Sequence, residues 1–191
     1  MRKINRPQCP NPTALTTNYK HPDNKSALVE ASFDKCMYCE EKILSSQFGD
    51  VEHIKPKSKF PALEFNWDNL GVVCSKCNNA KSDNYDEKTP FINPYNDNPE
   101  DHIIATGTLL AQKKGSERGE LTISTITLNR TELIEKRYEK IQKIEKTINA
   151  CFRSNNETLK NNALEDLKKE ANEDKEYSLC VKYLLKCHEI L

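Results

Sequence analysis

Two CxxC pairs, CMYC at 36–39 and CSKC at 74–77, constrain this chain more than anything else in it. Each pair can turn two thiolates toward one ion, and two pairs supply the four sulfurs of a closed tetrahedral zinc site. The opening residues, MRKINRPQCPNPTALTTNYK, hold no apolar run of the kind that marks a signal peptide, and no window approaches a membrane span. The expected setting is therefore cytoplasmic, where thiols stay reduced and eight cysteines are no disulfide framework. The alternative of buried or incidental cysteines fits two independent pairs poorly. A closed four-sulfur site has no open position, so its zinc holds the fold and does no chemistry. This also disfavours a hydrolase with catalytic zinc.

The pairs lie further apart than the ~15–20 residues of a compact zinc ribbon. The intervening segment contains DVEHIKPKSK at 50–59 and FNWDNL at 65–70. Zinc at its two ends would staple a stretch holding one histidine, several acids and an asparagine. Alone, His53 reads most simply as a solvated strand histidine. On a strand, Glu52 and His53 point to opposite faces, and Asp50 shares the face of Glu52. Asn69 and the CNNAK run from Cys77 to Lys81 add polar groups that the staple would return toward the strand.

With 191 residues, the chain is long enough for a buried core and an appendage. Its 29 basic and 29 acidic residues cancel, so any nucleic-acid-binding surface must be local. Residues 1–35 read as an extended arm and a short helix, Ser26–Asp34, capped by Ser26. Residues 36–102 hold the dense motifs. Within them EKIL at 41–44 and DVEHI at 50–54 read as strands joined by the SSQFG turn, followed by irregular chain at Pro56 and Pro61 and a loop over 82–102. Residues 103–128 read as a β-hairpin of IIATGTLLA and LTISTI flanking KKGSERGE. Residues 129–191 read as helical: Asn129 and Glu132 form a capping box for a helix whose stripe is Ile134, Tyr138, Ile141, Ile144, Ile148 and Phe152. Further helices follow near Thr158–Ala171 and Lys175–Ile190. The fold class is α+β, and no internal repeat or low-complexity segment is present.

The pattern Cys36-x-x-Cys39, then Glu52–His53 with Pro56, then Asn69–Leu70, then Cys74-x-x-Cys77-Asn78-x-x-Lys81 resembles the HNH endonucleases. That resemblance implies a zinc-stapled, treble-clef-like ββα-metal nuclease module. By it His53 is the general base, Asn69 orients that base, and Glu52 and Asn78 hold a catalytic divalent cation. Many HNH enzymes have Asp where Glu52 stands and His where Asn78 stands, so the ligand set stays open, with Asp50 in reserve. A wider likeness takes in MRKI, MYCE, EHIKPKS, NWDNL, CNNAK, FINPYNDNPED and the LNR before the long helix. These are similar to the nuclease subunits of the Septu antiphage systems, also found with retrons. That likeness implies an ABC- or SMC-like ATPase partner and 5′-phosphate and 3′-hydroxyl products.

The residue types suit the chemistry in their own right. A neutral imidazole can take a proton from water near pH 7, and oxygen ligands favour Mg²⁺ or Mn²⁺ for stabilising a phosphodiester transition state. Lys55, Lys57 and Lys59 share one side if the chain is extended, and divide between a solvated edge and a phosphate rail; Lys81 is a further candidate contact. Lys113, Lys114 and Arg118 at the expected hairpin tip read as ordinary surface charge first, and Trp67 as core beside the zinc. His102 reads as a structural loop histidine in preference to a second metal site, while His21 and His188 carry no supporting motif. Cys180 and Cys187, with Tyr177 and Leu184, read as packing residues. The competing function is a non-catalytic four-cysteine zinc finger that binds nucleic acid or protein. For a nuclease, DNA is the favoured substrate over RNA.

Overall fold

The computed structural model describes residues 1–43 and 49–191. The expected 41–44 strand and SSQFG turn run into residues 44–48, outside that description; of the preceding residues, Lys42 forms only an isolated bridge with Lys35. The partner of DVEH lies instead far along the chain. β1 (Asp50–His53) pairs antiparallel with β2 (Leu70–Val73), with Asp50 opposite Val73 and His53 opposite Leu70. All four β2 residues are buried, which suits LGVV, a run with no polar alternation. Gly71 is needed there, because a Cβ would run into the Met37 sulfur.

The CMYC knuckle closes through Cys36 N–H donating to the Glu41 carbonyl at 2.9 Å, and docks onto β2 through Met37 N–H to the Val72 carbonyl at 3.0 Å. The chain then enters α3 (Ser75–Lys81), with Cys74 as its extended N-cap residue. The result is a mixed α+β module in which two strands and one short helix carry the cysteine pairs and most of the motif residues.

The N-terminal segment is not a free arm. It contains α1 (Pro12–Leu15) and α2 (Pro22–Ala31). Pro22, with its fixed φ and missing N–H, starts α2, and Ser26 lies inside the helix instead of capping it. Met1 is buried, and Arg6 reaches the turn before β2: its guanidinium donates to the carbonyls of Leu70 at 2.5 Å and Trp67 at 3.1 Å and lies over the Tyr95 ring. Trp67 fixes the same arm by donating Nε1–H to the Pro7 carbonyl at 2.8 Å.

The expected long hairpin is replaced by a shorter one. β3 (Ile103–Thr106) pairs with β4 (Leu109–Gln112) around Gly107, whose positive φ of 64° suits glycine. LTISTI is not a strand but belongs to α4 (Glu117–Thr125). Ser116 caps α4 by accepting from Gly119 N–H at 3.1 Å, and Thr122 faces inward to accept from Ile92 N–H at 3.0 Å. The β-branched alternation suggested a strand; tertiary contact on one helical face decides otherwise. Arg118 is therefore not at a hairpin tip. It bonds the Pro90 and Phe91 carbonyls and pairs with Asp97.

α5 (Thr131–Arg153), α6 (Glu157–Lys169) and α7 (Ser178–Cys187) form the helical region. Asn129 does not cap α5; it accepts Leu110 N–H at 2.9 Å and donates to the Leu110 carbonyl at 2.8 Å, fastening the helix start to β4. The buried stripe of α5 is Leu133, Arg137, Ile141, Ile144, Ile148 and Cys151. Tyr138 and Phe152, expected in that stripe, are more than half exposed. Arg137 takes an inward place because its guanidinium satisfies the Thr108 carbonyl and Asn129 Oδ1. Cys180 is buried, whereas Cys187 is exposed and does not pack. No helix among the described residues is long and apolar enough to cross a membrane.

Candidate metal and catalytic centre

α3 is seven residues long and serves two clusters. Its first turn completes the cysteine cluster. The Sγ atoms of Cys36, Cys39, Cys74 and Cys77 lie within 4.8 Å of one another, three of the residues buried and Cys74 partly so. Four thiolates at this spacing fit tetrahedral zinc and leave no position for substrate. Arg130, just before α5, points its guanidinium at the Cys77 and Cys74 sulfurs, at 3.5 and 3.9 Å. Such donors ease the negative charge that four thiolates place around one ion.

Glu40, directly after Cys39, is a residue that sequence reasoning passed over. It is buried, and accepts from Ser178 Oγ–H at 3.3 Å and from Leu179 N–H at 3.4 Å, capping the start of α7. Its second oxygen lies 3.6 Å from the Met1 amino group. Burial pushes the Glu40 carboxyl up, but the amino terminus, Lys35 and Arg2 outweigh this and hold it below the usual carboxylate value. The cysteine knuckle is thereby tied to both the first residue and the last helix.

The second turn of α3 faces β1. Asp50 and Glu52 lie on one face of the strand and Val51 and His53 on the other, as alternation requires. Asn78 donates from Nδ2 to Asp50 Oδ2 at 3.1 Å. Lys81 is fully buried; its ammonium donates to Glu52 Oε1 at 2.6 Å and to the His53 carbonyl at 2.9 Å. A side chain so enclosed makes no phosphate contact, so this expectation is corrected. Burial drives the Glu52 carboxyl above its usual value, although Lys81 pulls it back down.

His53 is buried on the opposite face. Its Nε2 lies 2.9 Å from the Glu64 carbonyl oxygen, and its ring stands edge-on to Tyr19 with centroids 4.5 Å apart. A carbonyl can only accept, so Nε2 carries the proton of the neutral ring and Nδ1 keeps the lone pair. Burial lowers the His53 pKa, so the ring is neutral at pH 7. Asn69 is buried too, but touches the strand exit in place of the imidazole. Its Oδ1 accepts Lys55 N–H at 2.8 Å, and Nδ2 donates to the carbonyls of Lys55 at 2.9 Å and Leu63 at 3.2 Å. It clamps the chain that follows His53 to the segment that carries Glu64.

The three lysines are not collinear. Lys59 N–H and Phe60 N–H both return to the Pro56 carbonyl, bending the chain at 56–60. Lys55 lies over Phe60 and Tyr85, whereas Lys57 lies over Tyr19 and pairs with Glu64 at 2.7 Å. Of these, Lys57 shares Tyr19 and Glu64 with His53. His102 bonds Ser116 Oγ at 2.8 Å, the structural part expected of it. Arg6, Tyr19 and Glu64 also went unnoticed in the sequence. No local pattern marks them, since each acts across a fold contact.

Residues 36–84 match the HNH endonuclease family, and both clusters lie within that segment. Among curated proteins, the Septu protein PtuB of Bacillus thuringiensis is 39% identical over 107 residues, covering 55% of this chain and 40% of that protein. The Septu protein PtuB of Bacillus mycoides (strain KBAB4) is 28% identical over 158 residues, covering 66% of this chain and 54% of its own. The chain thus spans about half the length of the curated relatives it matches. The resemblances read from the motifs, to HNH endonucleases and to Septu nuclease subunits, both hold.

Proposed function

We propose that the chain is a divalent-metal-dependent HNH endonuclease that hydrolyses nucleic-acid phosphodiester bonds. The observation that carries this reading is His53: a buried, neutral imidazole whose Nε2–H is spent on the Glu64 carbonyl, which leaves the lone pair on Nδ1 to act as the base. Nδ1 takes the water proton as the hydroxide oxygen bonds to phosphorus. The P–O3′ bond then breaks, and the 3′ oxygen takes up a proton, leaving 5′-phosphate and 3′-hydroxyl ends. Asn69 keeps the strand exit and the Glu64 segment in register, so it positions the base without touching it.

By motif position Glu52 and Asn78, with Asp50 in reserve, are the oxygen donors between β1 and α3, and donors of this kind suit a hard cation such as Mg²⁺ or Mn²⁺. When bound, such a cation supplies charge stabilisation for the phosphate and the leaving oxygen. Zinc at the four cysteines serves the fold.

DNA is the favoured substrate over RNA, with Lys57 and Lys59 as outer phosphate contacts and Lys55 further from the base. The similarity to Septu PtuB proteins supports a place in an antiphage defence complex, with an ABC- or SMC-like ATPase partner and in some settings a retron. Eight unpaired cysteines suit the reducing cytoplasm. One observation favours a second reading, a non-catalytic zinc-finger adaptor: Lys81 already neutralises Glu52.

Incubating the zinc-loaded chain, alone and with the partner ATPase, on DNA and RNA in Mg²⁺ or Mn²⁺ separates the two. The nuclease reading expects nicking or cutting that stops with EDTA at concentrations that leave zinc bound. Binding without any divalent-dependent cleavage in either setting supports the adaptor.

A further inference from the structure

Two acids and two α3 side chains meet across β1, and they pair in an unexpected way. Asn78 reaches Asp50. Lys81, one turn further on, reaches Glu52. The spacing matches on both elements: Asp50 and Glu52 are two apart on the strand face, and Asn78 and Lys81 are three apart on the helix. The two pairs differ in kind. Asn78 gives Asp50 one amide hydrogen and keeps its own carbonyl oxygen as a donor to a cation. Lys81 gives Glu52 a full positive charge, inside the protein, at 2.6 Å.

We propose that Lys81 is the resident cation of this centre: it takes Glu52 out of the metal-ligand set and leaves a divalent ion to Asp50 and Asn78. This rests on the nuclease reading and departs from the assignment implied by motif position, which makes the acid next to the histidine a ligand. The physical reason lies in burial. The Lys81 side chain has no exposed surface and Glu52 little, so breaking the pair would leave an ammonium buried without its carboxylate. Lys81 also holds the His53 carbonyl at 2.9 Å and approaches the Ser82 carbonyl at 3.5 Å, so its place is set by several acceptors together. Asp50 and Asn78 are partly exposed, as Glu52 is, but Asp50 meets the Asn78 amide in place of an ammonium. The Glu52–Lys81 pair then acts as a strut between β1 and α3, fixing the end of the strand on which the base stands.

The test is Mn²⁺ affinity of the zinc-loaded full chain, read by EPR of free and bound ion, with melting temperature alongside. Four proteins are compared with wild type: Asp50→Asn, Asn78→Ala, Glu52→Gln, and the double variant Glu52→Gln/Lys81→Met. Asp50→Asn and Asn78→Ala are each expected to weaken Mn²⁺ at least tenfold. The double variant removes both charges together, which buried pairs tolerate far better than loss of one partner. It should keep Mn²⁺ affinity within about threefold and melt above Glu52→Gln alone, the thermal rescue that marks a pair. Should the double variant not fold, Glu52→Gln/Lys81→Gln, which keeps hydrogen-bonding groups, replaces it under the same criteria. A tenfold loss in either double variant, or unchanged affinity in Asp50→Asn, overturns the assignment. Wild type that binds Mn²⁺ without cleaving would sink the nuclease reading and leave the assignment standing. Absence of any Mn²⁺ site in wild type would sink both.

Discussion

The two clusters on α3 are neighbours in sequence, Cys77 being followed directly by Asn78, yet they are built on opposite principles. The sulfur cluster gathers four like ligands from two knuckles and a single guanidinium behind them. The oxygen cluster joins strand and helix through unlike partners, one amide and one ammonium. A closed set of identical ligands makes a staple, while a mixed set with spare oxygens can take up an ion and let go of it. One helix of seven residues thus carries the cysteine cluster at its first turn and, at its second, the residues proposed for the metal-dependent chemistry.

The strongest way to break that contrast is on the sulfur side. Cys77→Ser should release zinc and unfold the module, because structural zinc sites are worth about 10–16 kcal/mol of apparent binding energy. Metal analysis and circular dichroism would show both losses together, and a variant that keeps its fold without zinc would deny the staple role. Next in size is Glu40→Ala, which strands the Met1 ammonium and the start of α7. A cost of about 3–5 kcal/mol is expected from denaturant unfolding, with zinc still bound, as befits a buried charge that has lost its partner.

On the oxygen side the sharper probe is pH. Burial holds the His53 pKa below 6.5, so the folded state favours the neutral ring. That contribution to stability is present above pH 6.5 and is lost as pH falls through the folded pKa, where the unfolded state binds the extra proton. Cleavage should follow the same sense: level near neutrality, then falling about tenfold per pH unit once the base is protonated. A rate that rises on acidification would remove His53 from the role of base. The smallest effect belongs to Lys57→Ala. It breaks a surface pair with Glu64 worth about 0–1 kcal/mol. It should flatten the salt dependence of DNA binding by about one unit of log–log slope, measured by fluorescence anisotropy.

The same contrast explains what could be read before the fold was known. The cysteine cluster was legible because metal-ligand spacing is local and survives any packing. His53, Asn69 and Asn78 were legible as residues through motif order. Their partners were not: the Glu64 carbonyl, the Tyr19 ring and the Arg6 guanidinium are brought in by turns that leave no mark on sequence. Lys81 was read as a surface contact because lysine is seldom fully buried, and only the facing Glu52 makes its burial tolerable. The strand reading of LTISTI failed for a related reason. Its β-branched alternation is a weak preference, overruled when Thr122 found Ile92 and Gly119 packed against the His102 carbonyl. In α5 the stripe was misphased because a buried arginine reads as a surface residue until its acceptors are known.

The most direct test of the whole account is the phosphodiesterase rate of zinc-loaded His53→Ala beside wild type, in Mn²⁺, alone and with the proposed ATPase partner. Removal of the general base should cost about 10²–10⁴-fold in rate while zinc content and melting curve stay those of a folded protein. A folded, zinc-loaded His53→Ala that cuts as fast as wild type would contradict it.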